Sequence, residues 1–357
     1  MSHAIPATQK ALFIEAPKGD WVVRSHSVPT PSAGEVLVRV EAAALNPLDW
    51  KVHDWDIIIP EYPALIGSES AGIVVALGDG VDNVKVGDRV QVTVFATLHQ
   101  AEMNTRAAAF QQYTIAPASW VIKVPPNISL DQAASIPAAV NTASVGLYTS
   151  QSPGAGVGLV APWNGGSGKY AGQPLLVIGG SSAVGQVALQ FAKLSGFSPI
   201  ITLVSPSNNS LVTSLGATHT IDRHQPLSTL ADSVNKITSK PLTVVFDAIS
   251  TAETQISGYN VLGDGGTLLT LLPITVKDEE RIPGKSILNL QGGASFHPEH
   301  FKGLYAHLSD YLETGVVKPN RIEVNPGGLA GVPDGLDRLR MGQISGHKLV
   351  VRPQETA

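Results

Sequence analysis

The residues with the clearest chemical content lie in Gln173-Pro-Leu-Leu-Val-Ile-Gly-Gly-Ser-Ser-Ala-Val-Gly-Gln186. A short apolar run enters a glycine-rich turn, and a helix-forming run follows it. Such a turn presents backbone N–H groups and a helix N-terminus, which together suit a pyrophosphate. Counted from Gly180 the turn reads Gly-x-Ser-x-x-Gly, with Ser182 where a glycine usually permits the closest approach. Gly180, Ser181, Ser182, Ala183, Val184 and Gly185 are therefore the candidates to hold a dinucleotide. The alternative is a glycine-rich strand–helix turn with no ligand. A second apolar strand about twenty residues further on supports the first reading.

The end of that second strand bears on which dinucleotide. An Asp or Glu there would accept from a ribose 2′-hydroxyl. The chain instead has Thr202-Leu-Val-Ser-Pro-Ser-Asn-Asn209, without an acid. Ser205, Ser207 and Asn208 are small donors that suit a phosphate, so NADPH is the expected cofactor. The chain contains no cysteine, which excludes disulfides, catalytic thiols and thiolate-ligated zinc. Its 10 histidines, His53 and His99 among them, show no ligand spacing.

These groups need elements to position them. The 357 residues are 43% hydrophobic and 15% charged, an ordinary globular balance at a length that suggests two domains. A net charge of -5 offers no basic field for nucleic acid. Met1 to Lys10 lacks the apolar core of a signal peptide, and no apolar run reaches the roughly 20 residues of a membrane span. A cytoplasmic protein is expected.

From Ala11 to about Lys123 the apolar stretches are short, Val-rich and punctuated by glycine: Gly34 to Val40, Gly72 to Gly78, Gly87 to Val94. These predict a β-rich barrel or sandwich. From about Ser129 the pattern alternates. Leu130 to Tyr148 is Ala-rich and helical, Leu175 to Ile178 a strand, Gln186 to Leu194 a helix, and Pro199 to Val204 a strand. A helix ends at Leu215, and further strands fall at Val244–Phe246 and Thr267–Leu272. Strands alternating with helices imply βαβ units and a parallel sheet, an α/β domain. A helix from His300 to Thr314 precedes a return to short pieces that end in His347-Lys-Leu-Val-Val351. Ser152 to Gly172 is glycine-rich and reads as a flexible loop, either an insertion on the surface or a cover over the cofactor.

Taken together, the chain resembles the medium-chain dehydrogenase/reductase superfamily over nearly its whole length. The markers are Asn46-Pro-Leu-Asp-Trp-Lys51, Gly67-Ser-Glu-Ser-Ala-Gly72, Val86-Gly-Asp-Arg-Val90, Leu215-Gly-Ala217, Phe246-Asp-Ala-Ile249 and Lys348-Leu-Val-Val351. The resemblance implies a GroES-like β-barrel catalytic domain, residues 1–128 and 305–357, and a Rossmann domain with a doubly wound parallel sheet, residues 129–304. Alcohol dehydrogenases of the superfamily hold catalytic zinc with Cys, His and Cys. Here Asn46 stands at the first Cys and Ser68 at the His, and the stretch corresponding to the structural zinc lobe, Ala96 to Phe110, has no Cys. No metal is expected. The likeness is nearest to the zinc-free quinone oxidoreductase branch and, within it, to fungal-type enoyl reductases.

What that branch implies is hydride transfer from NADPH to an activated alkene (enone, enal or enoyl) or to a quinone. Without a Lewis acid the protein supplies positioning, a dry pocket and oxyanion donors. By resemblance Asn46, Lys51 and Thr142 flank the nicotinamide, with Lys51 as an enolate donor and Thr142 as a carbonyl or carboxamide partner. Two of them also have a plainer reading: a turn residue for Asn46, a solvated surface lysine for Lys51. Asp49 reads as a local cap, Glu69 as structural. Trp50, Trp55, Phe95 and the stretch around Phe110 line an apolar pocket or pack in the core. Ala248, Ile249, Leu271 and Leu272, at the ends of two later strands, complete the cofactor set. In Thr218-His-Thr-Ile-Asp-Arg223 the branch usually carries Asp-Tyr, the Tyr lying beside the 2′-phosphate. Arg223 either joins Ser205 and Asn208 around that phosphate or is a solvated loop residue. Three functions stay open: reduction of free small molecules, an enoyl reductase working in trans with a polyketide synthase, and NADPH binding with little catalysis. A homodimer is the family-level expectation.

Overall fold

The computed structural model describes residues 4–93, 106–150, 154–293 and 296–357. The chain divides into two units: Met1–Ala138, Leu308–Glu313 and Pro319–Ala357 form one, Ala139–His307 and Thr314–Lys318 the other.

In the first unit, Val-rich alternation becomes antiparallel sheet. The strands are β1 (Thr8–Ile14), β2 (Trp21–Ser27), β3 (Glu35–Ala44), β4 (Ala64–Leu65), β5 (Glu69–Leu77), β6 (Arg89–Thr93), β7 (Tyr113–Pro117) and β8 (Val121–Lys123). Helix α1 (Pro47–Trp55) follows β3 directly, and α2 (Leu130–Ala134) and the first residues of α3 (Pro137–Tyr148) close this part of the chain. Val36, Val38 and Val40 of β3 pack with Val74, Val90 and Val92 in a core that excludes water. Removing such side chains from solvent contributes about 1.5–3 kcal/mol each.

The second unit is built on one parallel sheet. Its strands are β9 (Leu175–Ile178), β10 (Ile200–Val204), β11 (His219–Asp222), β12 (Leu242–Asp247), β13 (Leu262–Thr270) and β14 (Ser286–Asn289). They lie in the order β11-β10-β9-β12-β13-β14, the doubly wound arrangement whose ligand crevice opens at the carboxyl ends, where the order reverses. Every residue of β9 and β10 is buried, as strands covered on both faces must be. Helices α4 (Ala183–Ser195), α5 (Asn209–Leu215), α6 (Leu230–Asn235) and α7 (Ala252–Asn260) alternate with the strands, and α8 (Pro298–Glu313) comes after them.

The chain then returns to the first unit through β15 (Ile322–Val324), α9 (Val332–Arg340) and β16 (Lys348–Val351). These complete a seven-stranded sheet, with the path β15-β16-β3-β5-β6-β8 and β7 on β3. The stretch from 154 to 172 is well anchored, against the expectation of a flexible loop. The Tyr170 hydroxyl accepts from Val160 N at 2.7 Å, its ring stacks on Phe197, and Trp163 meets Tyr148 edge-on. Residues 151–153 of the expected loop lie outside the described residues. Among the described residues no helix is long and apolar enough to cross a membrane.

Candidate active site

In the second unit, β9 ends in a turn that only glycine fits. Gly179 has φ +79°, and a Cβ on it would lie 2.5 Å from the Ile249 side chain. At Gly180 a Cβ would meet Thr202 Oγ1 of β10 at 2.1 Å, and at Gly185 it would meet Gly179 O at 2.2 Å. The start of α4 is thereby drawn tight against the strand. Ser182 caps this helix, its Oγ accepting from Gly185 N at 3.1 Å. The serine in the motif thus supplies a cap where a glycine would supply only space. Ser181, Ala183 and Val184 are half-buried around it. The helix's remaining free N–H groups and dipole suit an anion.

The neighbouring strand ends frame the crevice. Arg223 N donates to Val204 O at 3.0 Å, which sets Arg223 beside the end of β10 and next to Ser205. Ser205 and Asn208 are buried; Ser207 and Arg223 are exposed. At the end of β12, Asp247 Oδ1 accepts from Ile249 N and Ser250 N at 3.0 and 2.8 Å. Burial raises this carboxyl above its ordinary range. Ser250, held at φ +61°, accepts Leu271 N on its Oγ at 2.8 Å and donates to Asp247 O at 2.7 Å. One serine therefore ties the ends of β12 and β13 together. It fixes Ala248, Ile249, Leu271 and Leu272 at one edge, with Ile249 43% exposed although apolar.

Thr142 lies on α3, half-buried, and Gly292 approaches it so closely that a Cβ would sit 2.9 Å from Thr142 Oγ1. Two half-buried contacts brace this helix. The Asn141 amide pairs with the Tyr305 hydroxyl at 2.9 Å, and Ser144 Oγ lies 3.0 Å from His300 Nε2. Burial, with His297 adding to it, lowers His300 to about 4. Burial also holds the Tyr305 hydroxyl well above its usual range.

In the first unit the predicted catalytic residues sit on α1. Asn46 is its N-cap, and Asp49 Oδ2 accepts from Asn46 N at 2.8 Å. The Asn46 side chain faces elsewhere: Nδ2 donates to Glu69 Oε1 at 2.9 Å, and Oδ1 accepts from Lys348 Nζ at 3.0 Å. Glu69 is wholly buried; it also accepts Ala138 N at 2.7 Å and forms an ion pair with Lys348. Asp49, 1% exposed, is pushed up to about 7 by burial, with Glu69 adding to the rise. Lys51 Nζ lies 5.1 Å and 5.8 Å from the ring centres of Trp50 and Trp55, a cation–π arrangement. Burial lowers its pKa. Phe110 is fully buried and packs in the core; Phe95 and His99 lie outside the described residues. His53 is half-buried and stacks on Trp21.

The sequence reading did not foresee the pairing of Glu69 with Lys348, nor the Ser250 bridge. Both residues of the ion pair stand in quoted motifs, but nothing local joins positions so distant.

A family model described as "Alcohol dehydrogenase GroES-like domain" matches residues 32–126, and "Zinc-binding dehydrogenase" matches residues 183–290. A trans-enoyl reductase of Gibberella fujikuroi is 33% identical over 340 residues, covering 90% of this chain and 93% of its own length. The chain belongs to the trans-enoyl reductase family, within the medium-chain dehydrogenases/reductases. It is an oxidoreductase of a family that uses a nicotinamide cofactor. A family relative from Petromyces alliaceus, also a trans-enoyl reductase, is 33% identical over 371 residues, 98% of each chain. A zinc-type alcohol dehydrogenase-like protein of Schizosaccharomyces pombe is 32% identical, over 96% of this chain and 99% of its own. Among solved structures, the CurK enoyl reductase superposes with a TM-score of 0.75 at 21% identity, covering 97% of this chain and 99% of its own. The quinone oxidoreductase of Coxiella burnetii gives 0.72 at 22%, covering 97% and 99%. At these identities the structures show the fold alone.

The glycine turn, capped α4 and acid-free end of β10 fit a dinucleotide. Zinc, which one family description names, does not fit. Asn46, Ser68 and Glu69 offer no thiolate or imidazole, and Lys348 already takes both the Asn46 carbonyl and the Glu69 carboxylate.

Proposed function

We propose that the chain reduces the carbon–carbon double bond of an acyl group conjugated to a carbonyl, with NADPH as the reductant. The observation that carries the reading is the donor set of the first unit. Where an alcohol dehydrogenase would polarise oxygen with a metal, this chain has an internally satisfied amide, carboxylate and ammonium, with Lys51 on the same helix. Alcohol chemistry loses its Lewis acid. Conjugate reduction needs only a hydride at the β-carbon, a proton at the α-carbon and a donor for the developing enolate.

NADPH supplies the hydride when bound. In the proposal the protein does the rest. Gly180, Ser181, Ser182, Ala183, Val184 and Gly185 hold the pyrophosphate, and Ala248, Ile249, Leu271 and Leu272 supply the apolar edge. Ser205, Ser207, Asn208 and Arg223 receive the 2′-phosphate; the adjacency of Arg223 to Val204 supports that grouping, and a guanidinium suits paired bonds to phosphate. Lys51, its pKa lowered by burial, is the proton or hydrogen-bond donor to the enolate, and Thr142 the donor to the carbonyl. Asn46, its amide engaged on both sides, acts by holding α1.

The relatives' name, trans-enoyl reductase, favours a substrate delivered by a separate protein. We take that protein to be a polyketide synthase carrying the acyl chain. The test measures NADPH consumption and product with free enals, enones, quinones, enoyl thioesters and carrier-bound enoyl chains. Saturated thioester supports the proposal, and a strong preference for the carrier-bound form supports the trans arrangement. Tight NADPH binding with no turnover of any of these would leave a cofactor-binding protein instead.

A further inference from the structure

We infer that Lys348 is a positioning residue for α1, its ammonium acting as the fixed internal cation of the first unit. The inference rests on the proposed role of Lys51, and goes beyond it by naming what holds that helix in place.

Glu69 is 0% exposed and the Lys348 side chain 4% exposed. A carboxylate buried so deeply is costly unless it is paired and hydrogen-bonded. Here three donors reach it: Asn46 Nδ2, Ala138 N and Lys348 Nζ. The ammonium has a second acceptor in Asn46 Oδ1 at 3.0 Å. Asn46, Glu69 and Lys348 therefore close a triangle in which each contacts the other two.

Each corner belongs to a different element. Asn46 is the N-cap of α1, Glu69 opens β5, and Lys348 opens β16. Both polar atoms of the Asn46 amide are committed to Glu69 and Lys348, so that amide does not cap its own helix. The first turn instead relies on Asp49 Oδ2 accepting Asn46 N. Orientation of α1 thus passes through the Asn46 side chain to the ion pair. Lys51 lies five residues beyond Asn46 on that helix. Loss of Lys348 would leave Glu69 as an unpaired buried charge and free one side of the Asn46 amide. Both changes loosen the start of α1.

Charge neutralisation and positioning separate experimentally. The variants are Lys348→Met, Lys348→Arg and the double variant Glu69→Gln/Lys348→Met. Three quantities are read in the full-length protein: melting temperature, amide hydrogen exchange of residues 47–55, and kcat with an enoyl thioester beside NADPH affinity. Lys348→Met should melt lower, exchange faster across α1 and lose roughly tenfold or more in kcat, with NADPH affinity changed by less than about twofold. The double variant removes both charges and should recover most of the melting temperature. It should still exchange faster across 47–55 and keep the kcat loss, because Asn46 has lost its cation. Lys348→Arg should recover part of kcat.

If the double variant regains parental exchange and kcat together with its melting temperature, Lys348 only neutralises Glu69 and the inference falls. It falls equally if Lys348→Met is parental in exchange. The exchange readout needs no activity. Were the parent to reduce no enoyl substrate, the proposed function would fail while the positioning of α1 would still be decided.

Discussion

The contacts that hold the two helices carrying proposed catalytic residues differ in kind. The first unit buries charge: Glu69 and Lys348 as an ion pair with Asn46 between them, and Asp49 nearby with its pKa raised to about 7. In the second unit α3 is held by neutral groups in half-buried contacts: Asn141 with Tyr305, and Ser144 with His300, which burial lowers to about 4. Both sets brace a helix that carries a proposed catalytic residue, Lys51 on α1 and Thr142 on α3. A charged brace is intolerant of losing one partner, since the other is then stranded without solvent. A neutral brace loses less per deletion. The difference teaches where each unit is fragile: the first to single charge removal, the second to protonation.

The strongest way to break the comparison is Glu69→Ala, which strands the Lys348 ammonium. A loss of about 3–5 kcal/mol in unfolding free energy by urea titration is expected. A loss near zero would mean that the pair is dispensable. Next is pH. Asp49 has a folded pKa above its unfolded one, so the fold binds an extra proton between about 4 and 7, and its contribution to stability is lost as pH rises through about 7. His300 runs the other way: its folded pKa is depressed, so its contribution is present above about 6.5 and is lost as pH falls through about 4. Asp49→Asn should therefore remove a fall in melting temperature on the neutral side, and His300→Gln a fall on the acid side. Profiles identical to the parent's would show that neither group titrates as its burial implies.

Arg223→Ala comes third. The ratio of kcat/KM for NADPH over NADH should drop about tenfold, since a hydrogen bond to a charged group contributes roughly 1.5–3 kcal/mol. An unchanged ratio, or a parent that prefers NADH, removes Arg223 from the phosphate pocket. The smallest effect on stability is expected for Tyr305→Phe, which removes the hydroxyl partner of the Asn141 amide at a cost of about 1–3 kcal/mol. It should fall short of Glu69→Ala. A reversal of that order would contradict the distinction between the two braces.

What the sequence made legible was contiguous. The run from Leu175 through Gly185 carries its strand, its turn and its helix within a dozen residues, and each glycine there turns out to face an atom a Cβ would strike. The absence of an acid after Val204 is likewise a local fact. The braces were illegible for the opposite reason. Asn141 and Tyr305 are 164 positions apart, and Glu69 and Lys348 are 279 apart, so no periodicity links them. Strand β14, Ser-Ile-Leu-Asn, is short and half-polar and escaped notice because it is an edge strand with one neighbour. The stretch from 154 to 172 reads as flexible on its glycines alone. Its anchors, Trp163 and Tyr170, act through partners elsewhere in the second unit.

The central claim is reduction of a conjugated carbon–carbon bond without a metal. It is tested most directly by tracing the hydride. NADPH carrying deuterium at its transferable position is incubated with an α,β-unsaturated acyl thioester, and the product is examined by NMR. The account predicts saturated thioester with one deuterium at the β-carbon, in a yield that a zinc chelator leaves unchanged. Deuterium on the former carbonyl carbon of an alcohol or aldehyde, or a reaction abolished by the chelator, would contradict it.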